Sequence, residues 1–170
     1  MVEFDADFLS VLFHPNPAMP PVDRAKERVE HLIDTLSESG ERILIPTPAL
    51  SELLIALGRT AAAQAIDAIH GEAAFKISPF DERAAIELSL MSEVKPRGKK
   101  RKEQGGTWAK VKFDRQIVAI GKVNGVSKIY SMDNDIHNLA VREGLAAVGL
   151  QELPLPPPKT GELFPDREEK

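Results

Sequence analysis

Short apolar runs alternate with amphipathic helical segments along most of this chain, and that alternation restricts the fold more than any other feature. The run from Val2 to Leu12 reads as a strand of a few residues passing into a turn or helix. Pro15, Pro17, Pro20 and Pro21 mark a loop after it. Ala25, Val29, Leu32, Ile33 and Leu36 form an apolar stripe at helical spacing over 23–39, with Gly40 as the stop. Ile43-Leu44-Ile45 reads as a buried strand, and Thr47-Pro48 as the start of a helix with Leu50, Leu53, Leu54 and Leu57 on its core face. Thr60 can cap a further alanine-rich helix ending near Gly71. Residues 73–78 read as a strand, and Asp81 caps a helix through Ala85, Leu88 and Met91. Helical periodicity returns at Val111, Ile117, Val118 and Ile120 and stops at Gly125. A strand at 127–131, a helix capped by Asn134 or Asp135, and an edge strand at 146–150 complete the order. Strands alternating with helices predict an α/β protein with three layers, α/β/α, around a central, mostly parallel sheet.

The chain has 170 residues, 42% hydrophobic and 28% charged, which are globular values and exclude wholesale disorder. Residues 1–150 are expected to form one domain, with a basic loop at about 95–106. Residues 151–170 are rich in proline and close on charges, and are expected to be a flexible tail. Cysteine is absent, which removes disulfides, thiolate nucleophiles and cysteine-ligated zinc from consideration. No apolar run approaches the ~20 residues that span a bilayer, and Met1-Val2-Glu3-Phe4-Asp5 lacks the flank of a signal peptide, so a cytoplasmic address is expected. The net charge is −4, but it is unevenly spread. Residues 95–112 hold eight basic residues against the single acid Glu103, leaving the rest of the chain strongly acidic.

Parallel sheets place their sites outside the carboxyl ends of the strands. The polar residues that follow the expected strands are carboxylates. Asp5 and Asp7 follow the first, Glu52 lies one turn into the helix after the second, and Asp133 and Asp135 follow the strand at 127–131. Asp114 lies near the start of the helix that carries Ile117. Acids gathered at one edge repel unless a cation neutralises them, and oxygen donors without thiolates suit Mg²⁺ or Mn²⁺. Each acid alone also fits a turn, a helix cap or a helix-dipole partner. Lys99, Lys100, Arg101 and Lys102 are candidates for phosphate contacts beside such a site. His137 lies near the acids and reads as an exposed helix residue.

Four segments, taken in order, resemble the PIN domain, and most closely its VapC-type toxin branch. They are Val2-Glu3-Phe4-Asp5-Ala6-Asp7-Phe8-Leu9, Leu50-Ser51-Glu52-Leu53, Phe113-Asp114-Arg115-Gln116-Ile117-Val118-Ala119-Ile120 and Ile129-Tyr130-Ser131-Met132-Asp133-Asn134-Asp135. Pro79-Phe80-Asp81 before a helix is similar too. The resemblance implies a metal-dependent endoribonuclease that hydrolyses RNA phosphodiester bonds. It implies Asp5, Glu52, Asp114 and Asp133 as catalytic, metal-holding acids, with Asp135 as a further metal ligand. Ser131 matches the hydroxyl residue before the fourth acid, and Asp7 stands where the family more often has Asn or Ser; both are expected to support the acids. An antitoxin partner and a homodimer are implied as well.

Two other readings remain open on the residues. Asp5-Ala6-Asp7 after a strand also fits an aspartate-nucleophile phosphatase, although Glu52 and Asp114 then have no role. The same fold can also serve as a non-catalytic RNA- or partner-binding domain.

Overall fold

The computed structural model describes residues 1–15, 22–91 and 108–157. The basic loop at about 95–106, with Lys99, Lys100, Arg101 and Lys102, lies outside the described residues, as does the tail from residue 158. Within them, five strands form one sheet: β1 (Val2–Phe4), β2 (Ile43–Pro46), β3 (Phe75–Ser78), β4 (Lys128–Tyr130) and β5 (Ala146–Val148). Their order is β3-β2-β1-β4-β5 and every pairing is parallel. The helices are α1 (Ala6–Phe13), α2 (Ala25–Glu38), α3 (Thr47–Gly71), α4 (Glu82–Leu90), α5 (Trp108–Val123) and α6 (Asn134–Arg142).

The strand order fixes the layers. From β1 the chain moves one way through β2 to β3, then crosses back over β1 to β4 and on to β5. Right-handed crossovers put α1, α2 and α3 on one face and α4, α5 and α6 on the other. The packing agrees: α1 lies on α2 and α3, while α5 lies on α4 and α6. The three-layer arrangement expected from the sequence is the one observed. Alternation along β1 sends Val2 and Phe4 to the α1 side, where Phe4 meets Phe8 and Tyr130 with ring centroids 5.5 Å apart. Glu3 faces the α5 side, in register with Leu44 of β2 and Ile129 of β4.

Several boundaries differ from the sequence reading. The two helices expected at Thr47 and Thr60 form one element that kinks at Gly58, where φ is +72° and only glycine is comfortable. By length and composition α3 is apolar enough to cross a membrane, with mean hydropathy 1.2 over its best window, contrary to the expectation that no segment would be. The kink, together with Glu52, Arg59 and Asp67, interrupts that helix. The cap of α6 is Asp133, not Asn134 or Asp135. Beyond residue 150, Leu153 is still buried and Arg28 holds its carbonyl, so the packed body continues to that point.

Candidate active site at the carboxyl ends of β1 and β4

The direction of the connections reverses between β1 and β4, which opens a crevice at their carboxyl ends. Asp5 directly follows β1 and Ser131 directly follows β4, so both stand at this switch point. The backbone N–H of Asp5 donates to the Tyr130 carbonyl at 3.1 Å, which ties the two strand ends together. Asp5 is the cap of α1: its Oδ1 accepts from the Ala6 N–H at 2.7 Å. Its Oδ2 accepts from the Ser131 hydroxyl at 2.8 Å. Ser131 Oγ in turn accepts from the Asp133 N–H at 3.0 Å, so the one hydroxyl proton is committed to Asp5. Asp133 Oδ1 then accepts from the Asp135 N–H at 2.7 Å and starts α6.

Asp5 and Asp133 are thus helix caps, and Asp5 has a second property. Burial, then the charge of Asp7, and more weakly that of Glu52, push the Asp5 carboxyl up from 3.8 to about 7, against the Ser131 and Ala6 hydrogen bonds. Asp7 and Glu52, from α1 and α3, thus act on Asp5 through space. Asp7 and Asp133 are half-buried, and Glu52 and Asp135 are exposed on the solvent side.

Asp114 is buried and lies two turns inside α5, not near its start, because α5 begins at Trp108. It shares a face of α5 with Gly121, since seven residues make nearly two turns. Gly121 lies against Glu3 of β1. A crossover helix runs against its strands, so Asp114 lies on the same side of that contact as Asp5. Among the described residues no three His, Cys, Asp or Glu side chains converge as a ready-made metal cage. Of the acids expected as ligands, Glu52 acts on Asp5 through space and Asp133 is joined to it through Ser131.

Two residues have parts that the sequence did not suggest. His137 is half-buried, not exposed: its Nε2 lies 2.6 Å from the Ser131 carbonyl, and since a carbonyl only accepts, Nε2 carries the proton. The histidine thereby holds the backbone of the serine that holds Asp5. Glu3 is fully buried, and neither carboxyl oxygen has a hydrogen-bond partner among the described residues. Burial, and then the charge of Asp5, push its carboxyl well above the usual range. Strand parity could have revealed it, because residues 3 and 5 of one strand share a face.

This α/β/α arrangement is the PIN-type fold of VapC proteins. VapC20 of Mycobacterium tuberculosis, a sarcin–ricin loop cleaving toxin, is similar with a TM-score of 0.52 and 16% identity over 81% of this chain and 94% of that chain. The DNA-bound VapBC of Salmonella typhimurium is similar with a TM-score of 0.52 and 13% identity over 88% of this chain and 99% of that chain. At these identities the likeness is one of fold. No protein-family model and no curated protein matches the sequence.

Proposed function

We propose that this chain is a divalent-cation-dependent endoribonuclease that hydrolyses RNA phosphodiester bonds, and that it is the toxin of a toxin–antitoxin pair. The observation that carries the reading is Asp5. It is a buried carboxyl at the strand switch point, oriented by Ser131 and pressed toward neutrality by Asp7 and Glu52. Buried carboxyls raised by neighbouring acids are concentrated at sites where a cation or a reacting atom uses them. The fold shared with VapC toxins supports the same reading.

The donor set fits Mg²⁺ or Mn²⁺. All the donors are hard oxygens, and Mg²⁺ keeps several waters and needs only one or two direct carboxylates rather than a closed cage. Asp5, Glu52, Asp114, Asp133 and Asp135 would hold the ion, with Asp7 and Ser131 supporting them. Such an ion supplies Lewis-acid polarisation of a phosphate oxygen and a water nucleophile at neutral pH. The chain's own part is orientation. Ser131 fixes the rotamer of Asp5, His137 fixes Ser131, and the cap of α6 fixes Asp133. The exposed Glu52 and Asp135 leave the crevice open to a long polymer. The basic run with Lys99, Lys100, Arg101 and Lys102 supplies phosphate contacts that an acidic site cannot. A phosphatase reading leaves Glu52 idle, whereas here Glu52 acts on Asp5.

The test is expression of this chain alone and together with its genomic neighbour. Growth arrest that the neighbour relieves and Asp5→Ala abolishes supports the toxin reading. Harmless expression of a protein that cleaves RNA in vitro leaves a nuclease without the toxin role. A trapped phosphoaspartate at Asp5 overturns the nuclease reading itself.

A further inference from the structure

We propose that the contact between Glu3 and Gly121 is a spacer that sets the distance of α5 from β1, and thereby the separation of Asp5 and Asp114. The inference rests on the reading of those two acids as cation ligands.

Glu3 is the only residue of β1 that turns to the α5 side. Its side chain reaches the helix backbone at Gly121. A Cβ at Gly121 would stand 2.6 Å from Glu3 Oε2, 3.2 Å from Cδ and 3.4 Å from Oε1. Glycine there is a matter of space and not of backbone conformation, because Gly121 lies within regular helix and is not among the glycines with positive φ. The helix therefore rests directly on the carboxyl group, and any larger residue at 121 must lift α5 or expel Glu3. The carboxyl gains no hydrogen bond among the described residues for its burial, so this position does not follow from polar pairing. An apolar side chain would pack here without the desolvation cost. What Glu3 supplies is reach: a long, unbranched side chain that ends where the helix has no Cβ.

The two acids ride on the same two elements. Asp5 is two residues beyond Glu3 on the same face, about 6.6 Å further along the strand direction. Asp114 is seven residues before Gly121 on the same face, about 10.5 Å along the helix. Both lie on the crevice side of the spacer. A change of contact height at Gly121 is transmitted along α5 to Asp114, while Asp5 is held to β4 by the Tyr130 carbonyl and Ser131. Packed layers do not absorb such a change silently, because interiors are close-packed.

The experiment is a double-mutant cycle read as the Mn²⁺ dissociation constant by calorimetry, with circular dichroism to establish folding. Gly121→Ala and Glu3→Ala should each weaken Mn²⁺ binding about tenfold, as loss of supporting groups around a metal site does. The double variant, in which the new methyl reaches into the space the carboxyl vacates, should bind more tightly than either single variant and return toward the parent. Glu3→Gln, of equal length, should also stay within about threefold. Unchanged affinity in folded Gly121→Ala, or a double variant no tighter than the singles, overturns the spacer. If Gly121→Ala does not fold, Glu3→Ala decides: unchanged affinity overturns the proposal and loss rescued by Glu3→Gln supports it. If the parent binds no Mn²⁺, the spacer and the metal reading fall together. If the parent binds and Asp5→Asn abolishes binding while the cycle is flat, only the spacer falls.

Discussion

Asp5 receives hydrogen bonds from Ala6 and Ser131 while burial and two neighbouring acids oppose its charge, so its carboxyl titrates at about 7 in the folded chain and at the ordinary value of 3.8 when exposed. Between these values the folded state holds a proton that the unfolded state has lost. The contribution to stability therefore falls as pH rises from about 4 to about 7 and is level above that. The displacement from 3.8 to about 7 bounds the effect at roughly 4 kcal/mol. The metal-free protein should melt higher at pH 5 than at pH 8. Asp5→Asn should flatten that profile in part and raise the melting temperature at pH 8. Glu3 acts with the same sign, so Asp5→Asn combined with Glu3→Gln should flatten it further. A metal-free protein that melts higher at pH 8 would contradict the assignment. Ser131→Ala leaves Asp5 with one donor fewer and should cost about 1–3 kcal/mol in urea unfolding. The position of Asp5, Ser131 and Asp133 after two expected strands, and the ordered segments that contain them, made these residues legible in the sequence. Burial did not: nothing in the composition distinguishes the buried Glu3 from the exposed Glu52, and His137 looked like any helix residue until Ser131 was beside it.

At the scale of elements, Asp133 has two separable functions. It caps α6, and it is one of the proposed ligands. Asparagine caps as well as aspartate, whereas alanine does not and costs about 1 kcal/mol. Asp133→Asn should thus unfold in urea within about 0.5 kcal/mol of the parent and still lose RNA cleavage. Full activity in Asp133→Asn would leave only the cap. The basic run is a second element with its own test. Replacing Lys99, Lys100, Arg101 and Lys102 by Ala should weaken RNA binding and reduce the slope of log affinity against log salt by about 3–4, because each phosphate left without its cation releases no counterion. An unchanged slope would make the run a solvated segment. Element types were legible because buried parallel strands read as short apolar blocks, such as Ile43-Leu44-Ile45, between amphipathic helices. Boundaries were less so. Tertiary packing carries α3 through Gly58 as a kink, and the cap of α6 moved to Asp133 because Ser131 holds that residue's backbone.

For the whole molecule, the strand order sets Asp5 after β1 beside Ser131 after β4, although the two lie 126 residues apart in the chain. Their convergence is a property of the strand order, and local spacing alone does not contain it. On the α3 side, Ile55 is 79% exposed beside a groove of about 370 Å³ lined by Thr47, Leu50, Ser51, Leu54 and Ile55. The homodimer that the resemblance implies is a proposal, and this face is where it is tested. Ile55→Lys should then halve the mass measured by sedimentation; an unchanged mass would remove this face from the interface.

The Asp5 carboxylate at the β1/β4 crevice is proposed to serve a divalent ion in RNA hydrolysis. The most direct test of that role is the single-turnover cleavage rate of a structured RNA with Mn²⁺, measured for the parent and for Asp5→Asn at matched folded fraction. The parent should cleave in a reaction that chelation stops, and Asp5→Asn should lose at least about 100-fold, the size expected when a group acting on the transition state is removed. Cleavage by Asp5→Asn at the parent's rate, or a parent rate that chelation leaves unchanged, would contradict that role.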